Sequence, residues 1–563
     1  MRSRPLVLIV LLVGTLSLAD DETGTHFAGM PTGKLGYTAF VGFWDNYLHW
    51  QNPALAKKDK SLVDVAGETQ RVHPDFGSSA MAGRLAELQT FQRKLEDFAV
   101  HTWGVSQQIE FLAVRAKLHQ EEFRLRVSRP WARDPGFYTD RFLRLTFTEL
   151  PVEGQRRIDL ERQLNAVPEL AAQAKDNLTD VAADYADLAI FNLSNSDGVG
   201  HGFPYRADPP AGILGWYDDL LTRAEIEQPD LVDDINGAKA AVSSLNNWLI
   251  DNRKSMTADA GVGEAAFDWY LKHVKLMPYT SAEIITLGER ELDRLWGLYA
   301  LERHRNRRLP EIALPVSREE YQQRIDDTDA RIRAFLEDND IISIPPFIGF
   351  LSTNVPWIVR EGGPNFWEQI QFRNPTPDHL HAVIPGHRFD AVVERNNTHP
   401  IRSRLTFDAR VEGWGVYLEE AVMNAGLLDE QPRVRELIYL FGIFRAARMP
   451  ADVWLQTNVM SADEVADYWM ENVPYLDRDV ARVDAEIYLR RPPGYGLGYT
   501  AGMLQVQTLL AQARRQHGDD FSLREFHDAF LQAGRLPLSL IHYEMTGDDR
   551  DMAYLWREEP LFN

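Results

Sequence analysis

Cysteine is absent from all 563 residues. That single absence excludes disulfides, thiolate nucleophiles, cysteine-held zinc, iron–sulfur clusters and lipoprotein acylation. Any metal must be held by histidine and carboxylate. Positive charge is also scarce: 60 Lys+Arg stand against 83 Asp+Glu, a net charge of −23. Such a balance argues against a nucleic-acid partner. The one basic run, 303–308 (RHRNRR), reads as a solvated helix end. Beyond the N-terminus no stretch approaches 18 apolar residues, so no stable membrane insertion is expected. There is no GxxxxGK[ST], no G-x-S-x-G, no EF-hand loop and no GxGxxG after a strand. Nucleotide binding and the serine-hydrolase elbow lose their support.

The N-terminus has the pattern of an export leader. Arg2 and Arg4 precede an apolar run over Leu6–Leu18, and Ser17-Leu18-Ala19 fits a small-x-small cleavage site. Cleavage near Ala19 and a periplasmic or extracellular location are expected. The rest is overwhelmingly helical in pattern. Residues 79–126, 281–306, 317–337, 408–425, 433–448 and 498–516 carry apolar side chains at i, i+3, i+4. Thr280/Glu283, Ser317/Glu320, Ser461/Glu464 and Ser522/Glu525 have capping-box spacing. Gly534 and Pro537 follow the last of these helices as stop residues. The best strand candidate, Ile341–Phe350, contains two prolines and is demoted to an edge or loop. The reading is an all-α chain: a leader at 1–19, a helical half at 20–255 and a motif-rich helical half at 256–563. The 252–263 boundary is equally readable as a long helix connection within one body.

The chemistry concentrates at 378–388, Asp-His-Leu-His-Ala-Val-Ile-Pro-Gly-His-Arg. Glu412 follows His387 by twenty-five residues, within Glu412-Gly413-Trp414-Gly415-Val416-Tyr417-Leu418-Glu419. Two histidines and a glutamate on a later helix are a catalytic zinc ligand set with a position left open. The i, i+6 spacing of His381 and His387 is about 120° off register in an ideal helix. Pro385 and Gly386 stand between them, where a break or bulge would bring the rings together. Spacing alone leaves core or surface histidines as an open alternative.

At these residues the chain resembles the bacterial "domain of unknown function 885" family, a branch similar to gluzincin-type (HExxH-like) zinc metallopeptidases. The family pattern HExxPGHH corresponds to His381-Ala382-x-x-Pro385-Gly386-His387-Arg388, and EGWAxYxE to Glu412-Gly413-Trp414-x-x-Tyr417-x-Glu419. Pro493–Gly502, Phe526-His527-Asp528 through Leu538, and Thr280–Gly288 match further family blocks. The resemblance implies a large helical body with a central groove that admits a peptide or flexible polypeptide segment. It implies a zinc ion on His381, His387 and Glu412, with Glu419 orienting a ligand. Tyr499 is implied as an oxyanion donor, and Tyr495, Gln456 and His527 as substrate contacts. Two departures matter. The family's general-base glutamate is Ala382 here, and a histidine of the family's Asp-x-x-Leu-His block is Gln456. Arg388 replaces a further histidine, where its charge would weaken metal binding. Asp378, Asp390, Glu419 and Glu420 are candidates for a substitute base; Glu420 otherwise reads as part of a solvated face.

Two readings remain. One is an exported metallopeptidase-like protein, impaired or repurposed, that binds peptide. The other is an active zinc-dependent hydrolase using a substitute base. A helical-barrel carbohydrate enzyme with paired carboxylates is a weaker third; the 14 Trp permit it, but no hairpin repeat supports it.

Overall fold

The computed structural model describes residues 25–52, 74–196, 206–353 and 355–561. The expected leader at 1–19 lies outside them. Among the described residues the architecture is all-α, with no strand and two isolated bridges, Leu35 with Phe98 and Ala182 with Ala258. The helices used below are α1 (Ser78–Lys94), α2 (Val105–Phe123), α3 (Gly154–Asn177), α4 (Val232–Asn252), α5 (Ser281–Arg305), α6 (Arg318–Asp338), α7 (His387–Arg395), α8 (Asp408–Val422), α9 (Pro432–Gln456), α10 (Arg478–Arg490), α11 (Gly498–His517) and α12 (Leu523–Gln532).

Local chemistry sets several of these boundaries. Thr280 and Ser461 form complete capping boxes with Glu283 and Glu464. Ser317 caps α6 from one side only, because the Glu320 carboxylate bonds the Val316 amide instead. Ser522 likewise accepts only from the Glu525 amide. Asn365 and Glu368 form a complete box that the sequence reading missed. Gly534, at φ +82°, follows α12 as a stop in the left-handed region. The apolar pattern over 79–126 divides into α1 and α2, because Phe98 turns extended between short 3-10 turns. Ile341–Phe350 is an irregular segment.

Packing joins the two halves of the chain. The largest buried apolar cluster runs from Phe27 to Trp556. In the first half α3 lies along α4; in the second, α5 lies along α9 and α8 along α11. Two glycine contacts explain the close approaches. A Cβ on Gly288 of α5 would stand 2.7 Å from Met449 and Pro450 of α9. A Cβ on Gly502 of α11 would stand 2.2 Å from the Ala409 carbonyl of α8. The second contact presses α8, which carries Glu412 and Glu419, against the helix that carries Tyr499.

Candidate metal centre

The two histidines meet because the helix between them breaks. Residues His379–Val383 form a wide π-turn, Ile384 is extended, Pro385 follows through a cis bond, and α7 begins at His387. Leu380, Val383 and Ile384 are fully buried and anchor the turn. The chain doubles back so tightly that a Cβ on Gly386 would stand 1.9 Å from the His381 carbonyl oxygen. Trp414 fixes the turn from α8, donating its indole N–H to the Pro385 carbonyl at 3.0 Å. The His381 and His387 rings then lie 4.5 Å apart, edge to face. The break inferred from Pro385 and Gly386 is therefore present.

Helix α8 supplies the carboxylates. Oε2 of Glu412 lies 3.2 Å from Nε2 of His387 and 3.5 Å from Nε2 of His381. One donor atom from each residue lies within 4.8 Å of the other two. Tetrahedral zinc with bonds of about 2.0–2.1 Å separates its ligands by roughly 3.3 Å, so the donor set and its spacing fit one ion. Nδ1 of His387 is buried without a hydrogen-bond partner. On the other side of His381, Nδ1 lies 2.9 Å from Oε1 of Glu419. Glu419 in turn pairs with Arg445 of α9. Glu412, Gly415 and Glu419 share one helix face, and Gly415 leaves room for the imidazole: a Cβ there would stand 2.6 Å from Nδ1 of His381.

Two tyrosines close the other side. The Tyr495 hydroxyl donates to Oε1 of Glu412 at 2.8 Å and lies 3.3 Å from the Tyr499 hydroxyl. The Tyr499 ring stacks on His381 at 6.2 Å. Arg448, held by Asp484 at 2.6 Å, lies over the opposite part of the Tyr499 ring at 4.8 Å. Burial raises the Tyr499 pKa well above the ordinary phenol value, and Glu412 adds to it, so the hydroxyl stays a neutral donor. Burial pushes Glu412 up too, but His387 and His381 outweigh it and hold the carboxylate well below its usual range. Burial and Arg445 push His381 down, yet Glu412 and Glu419 leave it raised.

Other expected residues lie elsewhere or are occupied. Ala382 is 1% exposed within the main apolar cluster. Arg388 donates to Ser352 Oγ at 2.7 Å and to the Thr353 carbonyl at 3.2 Å. Asp390 is paired with Arg410 and Arg535, both at 2.9 Å, and is unsuited to base chemistry. Glu420 is buried against Arg294 at 2.8 Å, not on a solvated face. Asp378 has a buried carboxylate oxygen without a partner, and burial raises its pKa despite His381 and His379. His527 is fully buried, bonded to the Tyr417 hydroxyl at 2.8 Å and the Ile341 carbonyl at 2.7 Å, beneath Trp414. It has no exposed surface for the substrate contact expected of it; it buttresses α8. Gln456 is buried with its amide on the Tyr488 and Leu489 carbonyls.

Arg445 and Arg448 were missed by the sequence reading, and Asp452 entered it only as the first residue of the Asp-x-x-Leu-His block, without a role. Asp452 accepts from the Leu497 amide at 2.9 Å and so holds the loop that presents Tyr495. Their signal was three charges in the mainly apolar stretch 437–455 of α9, where a buried charge requires a partner.

The fold recurs in two solved structures. One is a protein of unknown function from Shewanella oneidensis, provisionally described as a lipoprotein, with TM-score 0.69, 16% identity, and coverage of 90% of this chain and 99% of that one. The other, from Colwellia psychrerythraea and provisionally described in the same way, has TM-score 0.66, 15% identity, and coverage of 91% and 98%. At such identities the likeness is one of fold. No curated protein matches the chain. Residues 379–545, the stretch that carries His381, His387, Glu412, Tyr495 and Tyr499, match the family described as "Bacterial protein of unknown function (DUF885)".

Proposed function

We propose that this is an exported, metallopeptidase-like protein that holds one zinc ion on His381, His387 and Glu412 and binds a peptide or flexible polypeptide segment beside it, with hydrolysis impaired by Ala382. One observation carries the reading: two imidazole nitrogens converge on one glutamate oxygen while a second carboxylate backs His381. Carboxylate–histidine–metal arrangements of this kind orient the ring and raise its basicity. Bound zinc would polarise a carbonyl as a Lewis acid. The chain itself contributes the Tyr499 hydroxyl as the donor for a carbonyl oxygen entering beside Glu412, while Tyr495 spends its proton on Glu412. The methyl group of Ala382 accepts no proton, and general-base loss typically lowers rates about 10²–10⁴-fold. Export is supported by the leader-like N-terminus and by the lipoprotein descriptions of the two fold relatives. The chain has no cysteine of its own to acylate.

A second reading, active hydrolysis with a substitute base, rests on Asp378. Of the substitute bases considered, Asp390, Glu419 and Glu420 are ion-paired, whereas Asp378 keeps a partnerless oxygen. Metal analysis of purified protein, joined to a peptide-library digest of wild type, Asp378→Asn and Ala382→Glu, tests both. One equivalent of zinc, with cleavage appearing only in Ala382→Glu, is the result expected of an impaired site. Chelator-sensitive cleavage by wild type that Asp378→Asn abolishes establishes the second reading. Absence of zinc sinks both.

A further inference from the structure

One large cavity of the described structure is lined by none of the candidate metal ligands. It is a cleft of about 750 Å³ between the first-half helices and the segment after α10, within the range of about 300–1,000 Å³ that ligand sites occupy. Its charge opposes that of the molecule. Three acids line it, and each is ion-paired. Glu121 is paired with Arg84 at 3.1 Å and Arg124 at 2.7 Å. Asp134 and Asp140 are both held by Arg490, at 2.9 and 2.8 Å. Arg141, Arg144 and Arg491 also line the cleft, and among the described residues none of the three has a carboxylate within ion-pairing distance. Arg141 lies 3.9 Å over the Phe137 ring and donates to the Phe137 carbonyl. Arg491 lies 4.2 Å over the Tyr495 ring, and Tyr495 bonds Glu412. The cleft thus reaches the candidate metal centre through a single side chain.

We propose that this cleft is the ligand-recognition site and that it selects acidic polypeptide segments, whose carboxylates pair with Arg141, Arg144 and Arg491. The proposal names the ligand class for the function proposed above and rests on that reading for a polypeptide ligand. A protein of net charge −23 gathers three arginines without a carboxylate partner in one cleft, and arginine forks donate to carboxylates in bidentate geometry. The wall also offers the Phe137 and Tyr270 rings and the Pro492-Pro493 edge, which suit a peptide chain.

The test uses the full chain in chelator, so that the outcome is independent of the metal. A fluorescein-labelled peptide with four glutamates is compared with its four-glutamine analogue by anisotropy. The glutamate peptide is expected to bind at least about tenfold more tightly, with the preference fading as salt rises. Arg144→Ala, an exposed change away from Tyr495, is expected to weaken binding about three- to tenfold. The double variant Arg144→Ala/Arg491→Ala should erase the preference at an unchanged melting temperature. Equal binding of the two peptides, or a preference untouched in the double variant, overturns the proposal. Displacement by pyrophosphate at lower concentration than by free tetraglutamate also overturns it, in favour of a phosphate ligand. Zinc stoichiometry measured separately keeps failure of this proposal distinct from failure of the metal reading.

Discussion

Oε1 of Glu419 lies 2.9 Å from Nδ1 of His381, on the side of the ring away from Glu412. His381 is therefore bracketed by two carboxylates from one helix face. Arg445 pairs with Glu419 and fixes it. Glu419→Gln should keep the fold and one zinc per chain while weakening zinc affinity about 10–100-fold. Competition with a chromophoric chelator measures this. An unchanged affinity would show that Glu419 serves only to pair with Arg445.

Gly415→Ala tests the same ring sterically. The new Cβ would stand 2.6 Å from Nδ1 of His381. The imidazole must shift, so zinc affinity should fall at least about tenfold, as for loss of an outer-shell partner. Calorimetric zinc titration, with the melting temperature as a fold control, reads the result. Tight zinc binding in this variant would mean that the ring has slack the packing does not suggest.

Arg388 gives the opposite expectation. Its guanidinium is spent on Ser352 and Thr353. Arg388→Ala should leave zinc affinity within about twofold, as for surface charges that do not pair with a site. A marked gain in affinity would show that this charge opposes the metal.

Asp452 carries a pH dependence. Burial raises its carboxyl from 3.8 to about 7, against the opposing pull of the Leu497 amide and Lys275. The folded state then holds a proton that the unfolded chain releases first. Stability from this group is complete below about pH 4 and is lost as pH rises toward about 7. Asp452→Asn keeps an acceptor for the Leu497 amide but has no proton to lose. Its melting temperature should vary less than wild type's between about pH 4 and pH 7. Parallel melting curves for the two proteins across that window would remove Asp452 as the titrating group.

Much of the site's identity was legible because motif residues keep their order along the chain. His381, His387, Glu412 and Glu419 were readable as a ligand set with a backing carboxylate, and Pro385-Gly386 as the break between the rings. The Glu420 and Asp390 expectations failed for one shared reason. A charged side chain's role depends on its nearest opposite charge, and here those partners are Arg294, and Arg410 with Arg535. None is a sequence neighbour. His527 kept its motif position but lies beneath Trp414, where burial pushes its pKa down to about 4 and leaves a neutral ring as a core strut.

By itself the sequence determined the helical class, four of the helix starts, the absence of cysteine as a metal ligand and the alanine at 382. Each is a local property: a periodicity, a cap three residues from its partner, a residue type present or absent. Only the tertiary structure decided that the π-turn and α7 close the two imidazoles on one oxygen. It alone decided that Asp452 sets the Tyr495 loop, and that Arg141, Arg144 and Arg491 share one cleft whose acids are ion-paired with other arginines. Those facts join side chains from helices up to about 350 residues apart, and no local pattern encodes such pairings; packing of the apolar faces brings the charges together.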